Sequence, residues 1–352
     1  MGMMLGYTRK MRPNRESRVL GWPVGMGKLG LWLFLPLLGL ALVPAAQASC
    51  TTSADMDPAT RAAVERAARN YYRMAAAGDS ASLRQAAVAA LTADFAPVET
   101  AMQMHQAIFA AAPLPLLQAE YLLEAEGTAP QERAEFYCGV WSTPGFTLFV
   151  LNNLAPGRYA VVVLEAQSGK IAYRLALVLA EQQQAWKLAG FYVRPAEIAG
   201  HNATYYLEMA RSYKSRKEFR NAWFYYLTAR ELLMLVPFMS NQQLEQMAAE
   251  MTGLPPQGLP VEKSVDFLAG AKVFKVAQVY VVEDDDGLQL VLQHQVADAS
   301  KTGPNYADNL ALIRAWVATY PEYREAFTAV VARATDPAGH DYGSRVEMKD
   351  IP

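Results

Sequence analysis

The residue types that carry most enzyme chemistry are scarce in this chain. It has two cysteines and four histidines in 352 residues. His294, His340 and Asp341 lack the spacing of a metal-ligand set, so neither a metal nor another cofactor is expected. Charged residues make up only 19%, with 32 Lys+Arg against 34 Asp+Glu. Without a cationic excess, charge-driven binding to nucleic acid or anionic lipid is excluded, since both need a basic face. Disorder is excluded too, because apolar residues reach 52% and charge runs are short.

What is present begins at the N-terminus. Arg9, Lys10, Arg12, Arg15, Arg18 and Lys28 precede an uncharged apolar run from Leu29 to Val43, followed by Pro44-Ala45-Ala46-Gln47-Ala48-Ser49-Cys50. A membrane-spanning helix needs about 20 apolar residues, more than this run supplies. Residues 1–48 therefore read as a signal peptide, cleaved after Ala48 under the small-residue rule that Ala46 and Ala48 satisfy. A retained membrane anchor is the alternative. Met26-Gly27-Lys28, directly before Leu29, would make a compact signal by itself, so Met26 is an alternative start. Removing residues 1–48 takes away six basic residues and one acidic residue, leaving 26 Lys+Arg and 33 Asp+Glu, a formal charge of −7. The expected location is periplasmic or secreted, or alternatively anchored to the envelope.

Cys50 has two readings. In an oxidising compartment, two cysteines in a mature chain form one disulfide, Cys50 to Cys138. Alternatively, Ala48-Ser49-Cys50 resembles the end of a bacterial lipoprotein signal, with Cys50 lipidated and Cys138 a buried free thiol. Gln47 departs from that pattern, where an apolar residue is usual.

Residues 57–195 pass from helix to strand. Asp57-Pro58 starts a helix that Gly78 ends, and helical stretches follow over about 82–93 and 98–110. Strands are then expected at Leu117–Glu124, Ala134–Trp141, Thr147–Asn152, Arg158–Gln167, Ile171–Gln182 and Ala185–Val193, broken by Pro-Gly and Ser-Gly turns. Helices followed by an antiparallel meander make an α+β pattern. On Ala68-Arg-Asn-Tyr-Tyr-Arg-Met-Ala-Ala-Ala-Gly-Asp79 and Ala185-Trp-Lys-Leu-Ala-Gly-Phe-Tyr-Val193, the segment resembles the nuclear transport factor 2-like superfamily. That resemblance implies a cone-like antiparallel sheet around helices, used as a pocket or a dimer surface, in some members with a catalytic Asp/His pair. Tyr71, Tyr72, His105, Tyr137, Trp141 and Tyr192 are the residues expected to line such a cavity, or else to fill an ordinary core. His105 is the only histidine here, with Asp79 and Asp94 as candidate acids. Asp79 reads as a helix cap, and no spacing pairs His105 with either.

Residues 202–251 carry the clearest motif. Asn202-Ala-Thr-Tyr-Tyr-Leu-Glu-Met-Ala-Arg-Ser-Tyr213 and Phe219-Arg-Asn-Ala-Trp-Phe-Tyr-Tyr-Leu-Thr-Ala-Arg230 resemble one tetratricopeptide repeat, a helical hairpin. Tyr206, Met209, Ala210, Tyr213, Ala222, Tyr226 and Ala229 stand at its packing positions, the small residues letting two helices approach and the aromatics filling the groove. Met234 stands where the repeat usually ends in proline. Ser240 to Gln243 reads as a capping box for a further helix to about Met251. One repeat lacks the concave peptide-binding surface that an array builds, so the hairpin is expected to pack against neighbours or make a protein contact.

Gly253-Leu-Pro-Pro-Gln-Gly-Leu-Pro260, within a linker at 252–262, marks the expected domain boundary. Residues 263–352 then read as a small α+β module, β-β-α-β-β: strands at Lys272–Val282 and Leu288–Val296, a helix at Tyr306–Tyr320, and a hairpin from Phe327–Ala334 and Tyr342–Lys349. Asp284, Asp285 and Asp286 lack the alternate ligands and distant Glu of a calcium loop and read as a charged hairpin tip. The expected function is a non-catalytic, exported binding or assembly protein of the bacterial cell envelope, its partner another envelope protein or a second copy. The membrane is reached only through the signal segment or a lipidated Cys50. The alternative is a small-molecule-binding protein or enzyme using the cone cavity.

Overall fold

The computed structural model describes residues 48–352, apart from 141, 142, 170, 255, 256, 262, 285 and 286. The expected signal peptide, save Ala48, lies outside the described residues, as do Trp141, Asp285 and Asp286. The chain is an α+β protein with no closed barrel among its described sheets.

A short strand, β1 (Ala48–Thr52), precedes α1 (Pro58–Ala77), α2 (Ser80–Gln85), α3 (Ala89–Ala93) and α4 (Ala96–Ala111). The local chemistry sets these boundaries. Asp57 accepts the Thr60 N–H at 2.9 Å and Asp79 the Ser82 N–H at 3.0 Å, each satisfying an otherwise orphaned amide. Gly78 ends α1 at φ 71°, a conformation that costs glycine nothing. The stretch expected to be helical from Ser82 to Ala93 is two helices. Ala86 and Val88 break it by exchanging backbone hydrogen bonds with Leu188 at 3.1 and 2.8 Å.

The next six strands are β2 (Leu116–Ala125), β3 (Gln131–Cys138), β4 (Thr147–Leu154), β5 (Gly157–Ser168), β6 (Ile171–Gln182) and β7 (Ala185–Pro195). They do not form one meander. The first sheet runs β1-β2-β5-β6-β7, whereas β3 and β4 leave it and pair with a later strand, β8 (Met239–Asn241). The first sheet is covered on both sides. Ala160, Val162, Leu164, Leu175, Leu177 and Leu179 pack under the helices. Their neighbours Val161, Val163 and Ala176 face the second sheet, against Phe136 and Phe149. Double burial is why β5 and β6 read as nearly continuous apolar runs, each buried aliphatic side chain contributing about 1.5–3 kcal/mol.

Cys50 on β1 and Cys138 on β3 are joined by a disulfide across a sequence separation of 88. It ties an edge strand of the first sheet to the second. A sulfur so engaged has no thiol left to lipidate.

The helical hairpin is α5 (Ala203–Ser215) and α6 (Phe219–Leu233), followed by β8 and α7 (Gln242–Glu250). Asn202 caps α5 by accepting the Tyr205 N–H at 3.1 Å. The cap of α7 is Asn241, accepting the Leu244 N–H at 2.8 Å, one residue after the expected Ser240. Ser240 is instead part of β8, paired with Leu148 of β4.

The remaining elements are β9 (Val265–Ala269), β10 (Lys272–Asp284), β11 (Gly287–Gln295), α8 (Thr302–Thr319), α9 (Tyr323–Ala326), β12 (Ala329–Thr335) and β13 (Asp341–Glu347). They form a sheet of order β13-β12-β11-β10-β9. The expected β-β-α-β-β module thus has an additional first strand, β9, and a parallel β11–β12 pair joined through α8. One hydrophobic core runs from Tyr206 in α5 through Phe224 and Tyr225 in α6 to Trp316, Val330 and Ile351. The Pro/Gly-rich break before β9 is therefore a bend in the path and does not divide the hairpin's core from the module's.

Candidate functional site

The described residues among those expected to line a cavity in the first domain are spread over both faces of the first sheet and over β3. Tyr71 and Tyr72 enter the core between α1 and the first sheet. The Tyr71 hydroxyl donates to the Trp186 carbonyl at 2.7 Å, and the Tyr72 hydroxyl to the Ala112 carbonyl at 2.6 Å. Burial pushes the Tyr72 hydroxyl up to about 12, as it raises that of Tyr71. His105, half-buried on α4, has Nδ1 2.8 Å from the Ala101 carbonyl of its own helix and its ring edge-on to Tyr173 at 4.7 Å. Tyr192 lies on the other side of the first sheet, edge-on to Phe238 at 6.0 Å. Tyr137 is 49% exposed on β3 and donates to Glu135 at 2.5 Å. These five do not converge, and Trp141 lies outside the described residues. Asp79 caps α2. The placement is what an aromatic-rich core with polar handles produces.

In the hairpin, Tyr206, Ala210, Tyr213, Ala222, Tyr226 and Ala229 are all buried, with Met209 at the edge of the core. Their polar ends fasten neighbouring segments. Tyr206 donates to the Ile198 carbonyl at 2.7 Å, and Tyr226 donates at 2.9 Å to Glu250 of α7, which also receives Arg211 at 2.7 Å.

A cleft of about 310 Å³ lies beside the last sheet. One wall is the start of β10, with Lys272, Val273 and Phe274. The second is the end of β11 and the loop after it, from His294 to Asp298, and the third is the start of α8, with Lys301, Pro304, Asn305 and Asp308. A register shift in β10 between Val276 and Gln278 lies opposite His294 and Gln293. Such bulges bend a strand and re-aim its side chains.

His294 is 1% exposed. Its Nε2 lies 2.7 Å from Asn309 Oδ1, while the Asn309 amide donates to Ser344 Oγ at 3.0 Å and to the Tyr342 carbonyl at 3.2 Å. With its nitrogen engaged as donor, Asn309 has only its oxygen to offer, so His294 Nε2 carries the proton. Burial lowers the His294 pKa, favouring neutral imidazole. Charges line the rim. Lys272 pairs with Asp308, and Lys301 lies 3.9 Å from Asp298. Ser300 fixes Asp298 through its N–H at 2.9 Å and its hydroxyl at 2.6 Å.

The sequence reading missed this cleft. The available signal was Asn305 and Asn309, two amides four residues apart on the buried side of α8, where apolar residues are the rule.

Large apolar side chains are exposed elsewhere. Leu114 is 89% exposed, Leu116 62%, Ile171 59% and Met104 45%. Leu116 pairs with Glu165 near the end of β5, and Ile171 pairs with Ser168 across the next turn. Met104 neighbours His105, which contacts Tyr173. Leu116 and Ile171 thus lie near strand ends of the first sheet, Leu114 in the loop before β2, and Met104 on α4.

Among the described residues, no group of three or more His, Cys, Asp or Glu is placed to hold a metal ion, and no helix is long and apolar enough to cross a membrane. No protein-family model, curated protein or solved structure matches the chain.

Proposed function

We propose that this chain is an exported, non-catalytic binding or assembly protein of the bacterial cell envelope, acting in the periplasm or outside the cell. The observation that carries the reading is the exposure of large apolar side chains in the first domain, Met104, Leu114, Leu116 and Ile171. Exposed apolar surface of this kind marks interaction sites. The compartment is supported by the Cys50–Cys138 disulfide, a bond that persists where thiols are not kept reduced. Within this reading, residues 57–195 are a nuclear transport factor 2-like domain, supported by helices that precede and pack on an antiparallel sheet. Residues 202–236 are a single tetratricopeptide-like hairpin, supported by buried Ala210, Ala222 and Ala229. The partner is another envelope protein or a second copy of the chain.

The test is expression with the native leader in a bacterial host, with a photo-crosslinking residue in place of Leu114, Leu116 or, as a control, exposed Glu132. The expected result is an oxidised protein beginning at Ser49 in the periplasmic or envelope fraction, with crosslinks from 114 and 116 but not from 132. A reduced cytoplasmic protein, or no crosslink from 114 and 116, would refute the reading.

A further inference from the structure

The cleft beside α8 has a charge pattern that selects among ligands. Its two cations and two carboxylates sum to zero, so neither a net anion nor a net cation gains from the local field. A dipolar molecule pairs with both signs. Both lysine side chains are largely exposed, 55% for Lys272 and 69% for Lys301, the latter 3.9 Å from its partner. Lys301 also occupies the N-cap of α8 without making a side-chain cap; among the next three residues the Thr302 N–H donates to the Ser300 carbonyl at 2.9 Å and Pro304 has no N–H. A cation there opposes the helix dipole unless an anion joins it. Phe274 supplies an aromatic floor beneath Lys272, whose Nζ lies 5.2 Å from the ring centre.

Size narrows the class. About 310 Å³ is the lower end of small-molecule pockets. Seven residues of helix separate Lys301 from Asp308, about 10 Å along the axis. A span of that order suits the ends of a dipeptide better than those of a single amino acid, whose charges lie closer together.

We propose that this cleft binds a dipeptide-sized zwitterion, its carboxylate on Lys301 at the start of α8, its ammonium on Asp308, and its side chain over Phe274. Lys272, which pairs with Asp308, turns outward as the ammonium arrives. The proposal rests on the chain being a binding protein, and it is independent of the exposed apolar residues of the first domain and of export.

The test is calorimetric titration of the purified, disulfide-bonded protein with glycyl-L-phenylalanine, its N-acetyl derivative and its C-terminal amide. The free dipeptide should bind about tenfold or more tightly than either blocked form, the scale of one charge-assisted hydrogen bond. Asp308→Asn should erase the discrimination against the N-acetyl form and keep that against the amide, and Lys301→Gln should do the reverse. Both positions are on the cleft rim, and an unchanged melting temperature would show the variants folded. No binding of the free dipeptide at millimolar concentration, or equal binding of all three probes, overturns the proposal. So does discrimination unaltered in both variants. Crosslinking from 114 and 116 would be untouched by any of these failures, which separates this proposal from the broader one.

Discussion

Reducing the Cys50–Cys138 disulfide should destabilise the protein substantially, and in a particular order. The bond closes a loop of 88 residues containing β1, four helices, β2 and β3. In the chain-entropy model, cross-linking a loop of that length removes about 4–5 kcal/mol of conformational freedom from the unfolded chain. Little offsets the loss in the folded state. Cys138 is fully buried among Leu123, Phe136 and Phe149, and a thiol sits there as a small apolar group without an unmet polar need. At roughly 2.1 cal/mol/K of unfolding entropy per residue over about 300 residues, the loss corresponds to a fall in Tm of roughly 7 °C.

The order follows from β1 itself. It has five residues, none fully buried, and it pairs with the rest of its sheet only through β2. Without the staple it should detach before the sheet does. Calorimetry of oxidised and reduced protein gives the first number, and hydrogen exchange gives the order: amides of Ala48–Thr52 should lose protection while those of β5 and β6 keep theirs. Melting temperatures within about 1 °C of each other, or protection retained in β1 after reduction, would refute the reasoning.

Three further perturbations probe the buried polar groups. Tyr72→Phe removes the donor to the Ala112 carbonyl and should cost about 1–2 kcal/mol in urea unfolding; no change would mean that the hydroxyl is dispensable. Asn309→Ala strips the partner from both His294 and Ser344 and should cost about 2–4 kcal/mol, with His294→Ala adding less than its single-mutant effect in a double-mutant cycle. Glu120 has a fully buried side chain, held by Arg61 at 3.0 Å, and burial raises its pKa above 4.5. The folded protein therefore keeps that proton to higher pH than the unfolded chain, so this group's contribution falls as pH rises from 4.5 through the raised value. Glu120→Gln should remove that slope, gaining on the native protein between acid and neutral pH; parallel stability curves would count against it.

Much of the fold was legible because local chemistry wrote it. Asp57, Asp79 and Asn202 all cap as their positions suggest, and β5 and β6 extend within a residue or so of their apolar runs. The illegible parts are those fixed by distant partners. β1 is a polar pentapeptide, Ala-Ser-Cys-Thr-Thr, made a strand by β2 and the disulfide. β8 has only three residues and exists because β4 has a free edge. The division of the strands between two sheets was hidden because alternation reports burial, and here both faces are buried. The expected cavity residues failed to converge for the same reason: an aromatic residue announces a large buried side chain and says nothing about which layer will hold it. The cleft was missed because its parts come from β10, β11 and α8, between 272 and 308, and only the two asparagines of α8 break a local pattern.

The aromatic wealth of the hairpin finds its explanation in α6. This helix is buried on several sides, with Asn221, Ala222, Phe224, Tyr225, Tyr226, Thr228, Ala229 and Leu232 all inside. Toward the last sheet, the Tyr225 hydroxyl donates to the Ala326 carbonyl at 2.9 Å and the Asn221 amide to the Glu322 carbonyl at 2.7 Å. Toward the first sheet, Arg194 of β7 donates to the Met234 carbonyl at 3.3 Å, and Arg174 of β6 to the Leu232 carbonyl at 3.4 Å. An isolated helical hairpin of this length would be marginal, and this one is held by tertiary contacts at both ends of the molecule. Those contacts fasten the hairpin to β6 and β7 on one side and to the segment before β12 on the other. The exposed apolar residues of the first domain and the charged cleft of the last sheet share no residue and no element. That separation is what allows crosslinking at one and titration at the other to be read separately.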